Sequence, residues 1–273
     1  MNTTRRSEIS NGRLHNFSKK RGFVPNIYPT RQNVIKLIKK LFTRRFKRRI
    51  KVQLQSKLGA PSLHWSLRNI HRLGFRPNHV LDIGAYHGDW TRDFKEVFPS
   101  ATVLMIEGQR SKSSILEQVC REHSGTKYEI AVLSSKSGEL VEFSELETAS
   151  YARKSSTGDN LVSCISLDDL LKRYEGFSPD FIKIDVQGFE LEVIRGGTVA
   201  VSTAEFILLE VTLLDFGDGT PLFLEVLNYM DSIGFQPYDI SEFMRRPLDH
   251  ALYQMDVIFI RKTSRFVAEK RLQ

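Results

Sequence analysis

The first candidate ligand-binding segment is residues 80–88, where Asp82 ends an apolar stretch and Gly84 and Gly88 follow it. Glycine permits the tight turn and the close backbone approach that a binding loop at the end of a strand requires. A dinucleotide-binding loop would place another glycine at position 86 to admit a pyrophosphate, but this chain has Tyr86 there. The spacing therefore favours a ligand without phosphate groups at this loop.

A second candidate binding residue is Glu107, which ends the next apolar stretch, 19 residues after Gly88. A carboxylate at the end of the second strand of such a fold can accept hydrogen bonds from both hydroxyls of a ribose. The loop and the acid together predict an adenosine-type ligand. At this point both NAD and S-adenosylmethionine remain open.

These residues need a scaffold that brings the ends of successive strands together. After Pro61, short apolar segments alternate with amphipathic ones, and strands are predicted at residues 79–83, 102–106, 128–132, 181–186 and 206–211. Strands separated by helices indicate an α/β fold, a mostly parallel sheet wound on both faces. A turn signal at Ser137 and Gly138 predicts a hairpin that joins 128–132 to 140–143. The last two strands, 236–240 and 256–260, have no helix between them, which predicts an antiparallel hairpin at one edge.

The charge of the chain is unevenly distributed along its length. The net charge is +8, but residues 1–57 carry 17 Lys and Arg and one acid, Glu8, whereas the remainder carries 23 bases and 31 acids. An acidic body has no electrostatic reason to bind nucleic acid, so any contact with a polyanion is expected in the N-terminal arm. We therefore predict a basic arm at 1–57, a catalytic domain at 58–265 and a short tail at 266–273.

Within this arm, residues 1–30 have no periodicity and are predicted to be disordered, whereas residues 32–54 have the pattern of a basic amphipathic helix. Three interpretations stay open for that helix. It could dock its apolar side on the domain, make peripheral contact with an anionic membrane, or bind nucleic acid phosphates. The last is the least favoured, because few aromatic residues are interleaved with the cations.

The two cysteines, Cys120 and Cys164, lack metal-ligand spacing and are too few for a disulfide framework. The chain contains no apolar run of the roughly 20 residues that a membrane-spanning helix needs, and its first residues are polar. We therefore expect a cytoplasmic protein with reduced thiols, with peripheral membrane attachment through residues 32–54 left open.

Residues 63–265 resemble the FkbM-type methyltransferases. The matching stretches are residues 74–77, 80–88, 90–91, 98–99, 106–107, 166–169, 179–196, 238–239 and 254–259. The resemblance implies a Rossmann-like, seven-stranded class I methyltransferase sheet with an antiparallel edge hairpin, and S-adenosyl-L-methionine as the methyl donor. It also implies O-methylation of a sugar, a glycan or a small secondary metabolite as the usual reaction.

The resemblance also implies roles for individual residues. The cofactor-binding candidates are Asp82, Gly84, Ala85, Gly88, Glu107, Ala131 and Asp185. The candidates for a catalytic base that takes the hydroxyl proton are Asp185, Glu210 and His87. No metal site is expected, and Gln187 weakens any proposal of one, because many family members carry Glu at that position.

Two other functions compete with methyl transfer. An NAD-dependent enzyme would use the same kind of fold, but Tyr86 in place of a glycine argues against it. A non-catalytic protein, recruited to a membrane or to nucleic acid by its basic arm, would not need the retained Asp82, Gly84, Gly88 and Glu107.

Overall fold

The computed structural model describes residues 60–144, 151–154, 160–217 and 219–267. These residues belong to one compact unit, Arg49–Gln273. The basic arm at 1–57, its amphipathic segment 32–54 and most of the tail lie outside the described residues.

The main sheet has seven strands in the order β3-β2-β1-β7-β8-β10-β9. From β3 to β8 the neighbouring strands are parallel, whereas β10 runs antiparallel between β8 and β9. The bounds are β1 His79–Ile83, β2 Thr102–Glu107, β3 Thr126–Ile130, β7 Phe181–Ile184, β8 Phe206–Thr212, β9 Phe235–Arg245 and β10 Leu252–Arg261. The predicted Rossmann-like sheet with an antiparallel edge hairpin is confirmed.

Helices cover both faces of this sheet. They are α1 Leu63–Arg72, α2 Asp89–Val97, α3 Ser113–Glu122, α4 Leu167–Leu171, α5 Glu190–Arg195, α6 Thr198–Thr203 and α7 Phe223–Ser232. Successive residues of a strand point to opposite faces, so Phe181 packs into one apolar core and Ile182 into the other. This two-sided burial explains why the central strands are nearly continuous apolar runs.

The predicted hairpin between residues 128–132 and 140–143 is wrong. Strand β4 (Leu140–Ser144) instead lies in a separate antiparallel sheet, between β5 (Tyr151–Lys154) and β6 (Leu161–Ser163). The reason is a long-range pairing, since the Cys164 N–H donates to the carbonyl of Glu139 and the Gly138 N–H donates to that of Cys164. The local turn signal at Ser137 and Gly138 does not reveal this partner.

Helix α5 ends at Arg195 with Gly196 as its C-terminal cap, and Asp168 accepts hydrogen bonds from two amides in the first turn of α6, those of Val199 and Ala200. One sequence expectation about the domain boundary differs from the structure. Phe266, which we placed in the tail, is only 8% exposed and its ring meets the edge of Phe75 with the centroids 5.6 Å apart. The domain therefore continues past residue 265.

Among the described residues, no helix is both long enough and apolar enough to cross a membrane.

Candidate active site at the carboxyl ends of the strands

A cavity of about 740 Å³ opens where the parallel strands end. Its walls are formed by the loops after β1, β2, β3 and β7 and by the ends of β8, β9 and β10. The lining residues are Ile83, Gly84, Tyr86, Ile106, Glu107, Gly108, Gln109, Ala131, Val132, Leu133, Phe143, Asp185, Val186, Gln187, Phe189, Glu210, Thr212, Phe216, Thr220, Met244, Tyr253 and Gln254. Its volume is in the range of about 300–1,000 Å³ that is typical of small-molecule sites.

Gly84 sets the shape of the first loop. Its φ is +74°, and a Cβ at this position would lie 1.8 Å from the carbonyl oxygen of Asp185. Its N–H donates to the carbonyl of Ile106 at 2.9 Å. The loop after β1 is therefore held between the ends of its two neighbouring strands, and only glycine fits there.

Glu107 is fixed from both sides by backbone amides. One carboxylate oxygen accepts from the N–H of Tyr86 at 2.7 Å, and the other accepts from the N–H of Gln109 at 2.8 Å. Tyr86 reaches this position with a positive φ of 48°. Although Glu107 is only 5% exposed, it lines the cavity, so each oxygen keeps a lone pair that a ligand hydroxyl could use.

A buried lysine connects the two central loops. Lys183 on β7 lies opposite Asp82 on β1 in the parallel register, and its ammonium is 3.3 Å from the Asp82 carboxylate and 3.5 Å from that of Asp185. It also donates to the carbonyl of Gly84 at 2.7 Å. Burial alone would lower the pKa of Lys183, but attraction by Asp185 and Asp82 outweighs it and raises that pKa. The lysine therefore stays charged and holds both carboxylates in place.

The two candidate bases Asp185 and Glu210 are joined through amide side chains. The Gln187 amide donates to one oxygen of Asp185 at 3.0 Å and to Oε2 of Glu210 at 2.8 Å. The Gln254 amide, on β10, donates to the same Oε2 at 2.9 Å. Gln187 has a positive φ of 54°, a conformation that costs a non-glycine residue about 1–3 kcal/mol and persists only where the surrounding contacts hold it.

Several carboxyl groups near this network retain their protons more strongly than usual. Burial, followed by the charges of Asp185 and Asp256, raises the pKa of Glu210 to about 9. Burial and Asp185 raise the pKa of Asp256 to about 7, and burial raises that of Glu190 to about 7. Of these three groups Glu210 lines the cavity, and a carboxyl group with a perturbed pKa in a cavity wall is typical of functional sites.

The remaining walls are apolar and aromatic. Val132 and Leu133 follow β3, and Phe143 and Phe189 approach from the small sheet and from the start of α5. A Cβ on Gly108 would lie 2.7 Å from the ring of Phe143. The opposite rim carries Phe216, Thr220, Met244 and Tyr253. The cavity thus combines a few polar groups with large apolar surfaces.

Five of the predicted site residues line this cavity: Gly84, Glu107, Ala131, Asp185 and Glu210. The other four do not, and they are Asp82, Ala85, His87 and Gly88.

Asp82 has no exposed surface; it accepts from the Thr91 hydroxyl at 2.6 Å and pairs with Lys183. Asp82 therefore lies behind the cavity wall, and its role in cofactor binding stays a prediction. The backbone of Ala85 is tied to the second strand, where its N–H donates to Ile106, and Gly88 is the N-terminal cap of α2. Both therefore shape the loop without lining the cavity.

His87 also lies outside the cavity lining. Its ring stacks on Tyr86 with the centroids 3.8 Å apart and the planes at 18°. The ammonium of Lys112 lies 4.4 Å from the Tyr86 ring centre. Because His87 does not line the cavity that Asp185 and Glu210 line, it is a weaker candidate for the base than either of them.

The sequence reasoning assigned no role to Lys183, Gln254 or Asp256, and it used Gln187 only as an argument against a metal. Lys183 carries a usable signal, because a lone lysine inside the apolar run of residues 181–184 has to be paired when it is buried. Gln254 and Asp256 lie in the stretch 254–259 that carries the family resemblance, but their roles depend on β10 lying next to β8.

A family model described as "Methyltransferase FkbM domain" matches residues 82–237. Among curated proteins, the chain is similar to the hexuronic acid methyltransferase AglP of Haloferax volcanii, with 35% identity over 80 residues. That match covers 29% of this chain and 34% of the relative. The chain therefore matches about a third of the length of that relative.

Two solved structures are among those with similar architecture. One is magnesium protoporphyrin IX methyltransferase from Synechocystis PCC 6803 with bound S-adenosylmethionine, at 12% identity and a TM-score of 0.44, covering 78% of this chain and 81% of that chain. The other is Aeropyrum pernix fibrillarin with S-adenosyl-L-methionine, at 10% identity and a TM-score of 0.41, covering 67% and 66%. Similarities at this level carry no argument about the reaction of this chain.

Proposed function

This chain belongs to the family of FkbM-domain methyltransferases, and from that premise we propose that it transfers a methyl group from S-adenosylmethionine to a hydroxyl oxygen of a sugar, a glycan or a small secondary metabolite. Family membership confirms the methyltransferase class that the resemblance implied. The cofactor, the acceptor and the role of each residue are the proposal.

The observation that carries the proposal is the arrangement of carboxylates in one cavity. Glu107 lies in the wall at the end of β2, and Asp185 and Glu210 lie in the wall at the ends of β7 and β8. Glu107 can bind a ribose, Asp185 can take the proton of a hydroxyl, and Glu210 adds a second carboxyl group beside Asp185. A cavity of about 740 Å³ leaves room for a nucleoside and for part of an acceptor.

We assign cofactor binding to Gly84, Glu107, Ala131 and Asp185, which line the cavity. Asp82 pairs with the Lys183 ammonium, which also contacts the carboxylate of Asp185. When bound, the cofactor supplies an electrophilic methyl group on a sulfonium. The task of the chain is to align a hydroxyl with that methyl and to accept the proton that the oxygen loses as the new bond forms.

Asp185 is the preferred base. Its side chain keeps 34% of its surface exposed, faces the cavity and is held by the Lys183 ammonium and the Gln187 amide. An ion-paired carboxylate that remains accessible can take a proton without a large rearrangement. His87 stacks on Tyr86 and does not line the cavity, and burial raises the pKa of Glu210 to about 9, which is too high for a base at neutral pH.

Two features support a sugar as the acceptor. The matched part of the chain is similar to a protein named for its action on hexuronic acid, although over only 80 residues. The rim residues Phe216 and Tyr253 also offer aromatic surface on which the apolar face of a sugar ring could pack. The NAD-dependent and non-catalytic alternatives receive no comparable support.

The proposal is tested by incubating the purified full-length protein with methyl-labelled S-adenosylmethionine and a fractionated cell extract. Label should appear in the fraction of sugars and glycans, and the Asp185→Asn variant should transfer it much more slowly. A matched control is Glu117→Gln, an exposed residue on α3 outside the cavity. Transfer into nucleic acid or protein alone, or no transfer by the wild type, would overturn the proposal.

A further inference from the structure

We propose that Glu210 is a specificity residue which, as a neutral carboxylic acid, donates a hydrogen bond from Oε1 to an oxygen atom of the methyl acceptor. This inference rests on the proposed function. It gives Glu210 a role opposite to that of a base, because the proton stays on the enzyme.

Oε2 of Glu210 has no free lone pair that could bind a proton. A carboxyl oxygen has two lone pairs, and here both are used by amide donors, Gln187 at 2.8 Å and Gln254 at 2.9 Å. The two donors come from different parts of the fold, the loop after β7 and strand β10. If the carboxyl group is protonated, the hydrogen therefore has to be on Oε1.

Oε1 of Glu210 is accessible. It makes no hydrogen bond to any residue that the structure describes, and it is not among the fully buried atoms that lack a partner. Glu210 lines the cavity, so Oε1 is open to a ligand. A hydroxyl donor in a cavity wall, clamped through its other oxygen, is oriented before any ligand arrives.

Glu210 is surrounded mainly by other carboxyl groups. Asp256 lies directly opposite it in the antiparallel register of β8 and β10, and Asp185 and Glu190 approach from the loop after β7 and from α5. The one cation that faces it among the described residues is Lys183, whose ammonium is committed to Asp82 and Asp185. Several carboxylates so close together cannot all be ionised.

Burial and the neighbouring carboxylates both favour the protonated form of Glu210. Burial, followed by the charges of Asp185 and Asp256, raises the pKa of Glu210 to about 9. Glu210 is therefore a neutral carboxylic acid at neutral pH, and the Lys183 ammonium lies 3.5 Å from the carboxylate of Asp185.

A fixed donor beside the transfer site selects for a particular acceptor chemistry. The acceptor needs a second oxygen with a free lone pair next to the hydroxyl that receives the methyl group, as a vicinal diol of a sugar has. An acceptor with a single isolated hydroxyl would leave this donor without a partner, and an unpaired polar group in a site is costly.

The test uses the isosteric variant Glu210→Gln. Its carbonyl oxygen can accept from Gln187 and Gln254, and its NH₂ group then takes the place of Oε1–H as a donor. A donor role predicts that this variant keeps its activity within about threefold, whereas Glu210→Leu, which has no donor, loses about 10- to 100-fold in kcat/KM. Glu117→Gln on the exposed face of α3 is the control.

The assay measures methyl transfer from labelled S-adenosylmethionine to the sugar fraction of a cell extract between pH 6 and 10. The donor role predicts that the activity of the wild type falls as the pH passes about 9, and that Glu210→Gln lacks this fall. A base would show the reverse, with activity rising through the same pH and a loss of more than about 100-fold in Glu210→Gln.

A second readout does not depend on an acceptor. Infrared difference spectra between the wild type and Glu210→Gln at pH 7.5, with and without S-adenosylmethionine, should contain the carbonyl band of a protonated carboxyl group. Absence of that band in both conditions would overturn the donor role even if transfer is observed. A wild type that transfers no methyl group at all is instead a failure of the proposed function, so the two failures are distinct.

Discussion

Replacing Glu107 by Gln tests the part of the site that binds the cofactor. The substitution keeps the shape of the side chain but removes its charge and one of its two acceptor oxygens. Because the two oxygens now accept from the amides of Tyr86 and Gln109 at 2.7 and 2.8 Å, the new NH₂ group has to face one of those N–H donors. The variant therefore loses a ligand contact and also leaves a buried amide without an acceptor.

The magnitude follows from these two losses. A charge-assisted hydrogen bond contributes about 1.5–3 kcal/mol, which corresponds to an increase of about 10- to 150-fold in the dissociation constant of S-adenosylmethionine. The unsatisfied amide costs about 1–3 kcal/mol of folding stability in addition. Since Glu107 is 5% exposed, solvent can offset little of either loss.

Calorimetric titration with S-adenosylmethionine gives the dissociation constant, and urea unfolding gives the free energy of unfolding. Glu117→Gln serves as the control, because its side chain is exposed on α3. An unchanged dissociation constant together with a clear loss of stability would refute the reasoning, since Glu107 would then only hold the loop.

Four other expectations follow from the structure. Gly84→Ala should abolish cofactor binding and lower the melting temperature, because its Cβ would lie 1.8 Å from a carbonyl oxygen. Lys183→Met should cost about 3–5 kcal/mol in urea unfolding, because it leaves Asp82 buried and uncompensated. The free energy of unfolding should fall as the pH rises from about 4.5 to about 7, because burial raises the pKa of Glu190 to about 7 and the folded state therefore binds this proton more tightly. Glu190→Gln should make this fall smaller, and Asp256, whose pKa is also raised to about 7, should account for part of what remains. Deleting residues 1–57 should leave calorimetric affinity for S-adenosylmethionine unchanged, and a truncated chain that cannot fold would contradict this.

The parts of the fold that were predictable from sequence are those fixed by local patterns. The apolar runs of β1, β7 and β8 and the turn signals between them indicate a parallel sheet, and the loop with Gly84 and the acid Glu107 follows from the ends of those runs. Each of these inferences needs only residues that are close together in the chain.

The parts that were not predictable depend on contacts between distant residues. The small sheet around β4 forms because Glu139 pairs with Cys164, and the local turn at Ser137 and Gly138 is compatible with either partner. Phe266 joins the core through Phe75, which is far away in sequence. The partner of β4 and the C-terminal limit of the domain are therefore set by tertiary contacts and not by local sequence.

The same distinction applies to the site. Asp185 and Glu210 could be proposed from their positions at strand ends, but the roles inferred for them depend on Lys183, Gln187 and Gln254. Lys183 can pair with Asp82 because the two residues lie opposite each other in the parallel register of β7 and β1. Gln254 acts because β10 inserts between β8 and β9. Sequence reasoning therefore found candidates for the proton chemistry without being able to divide the roles between them.

The most direct test of the account is the chemical identity of the bond that receives the label. After transfer from methyl-labelled S-adenosylmethionine by the full-length wild type, the isolated sugar product is treated with mild alkali. Transfer to a hydroxyl predicts a methyl ether, whose label stays on the sugar, and Glu107→Gln should slow its formation at limiting cofactor. Label released as methanol would reveal a methyl ester, and label absent from the sugars would contradict the central claim.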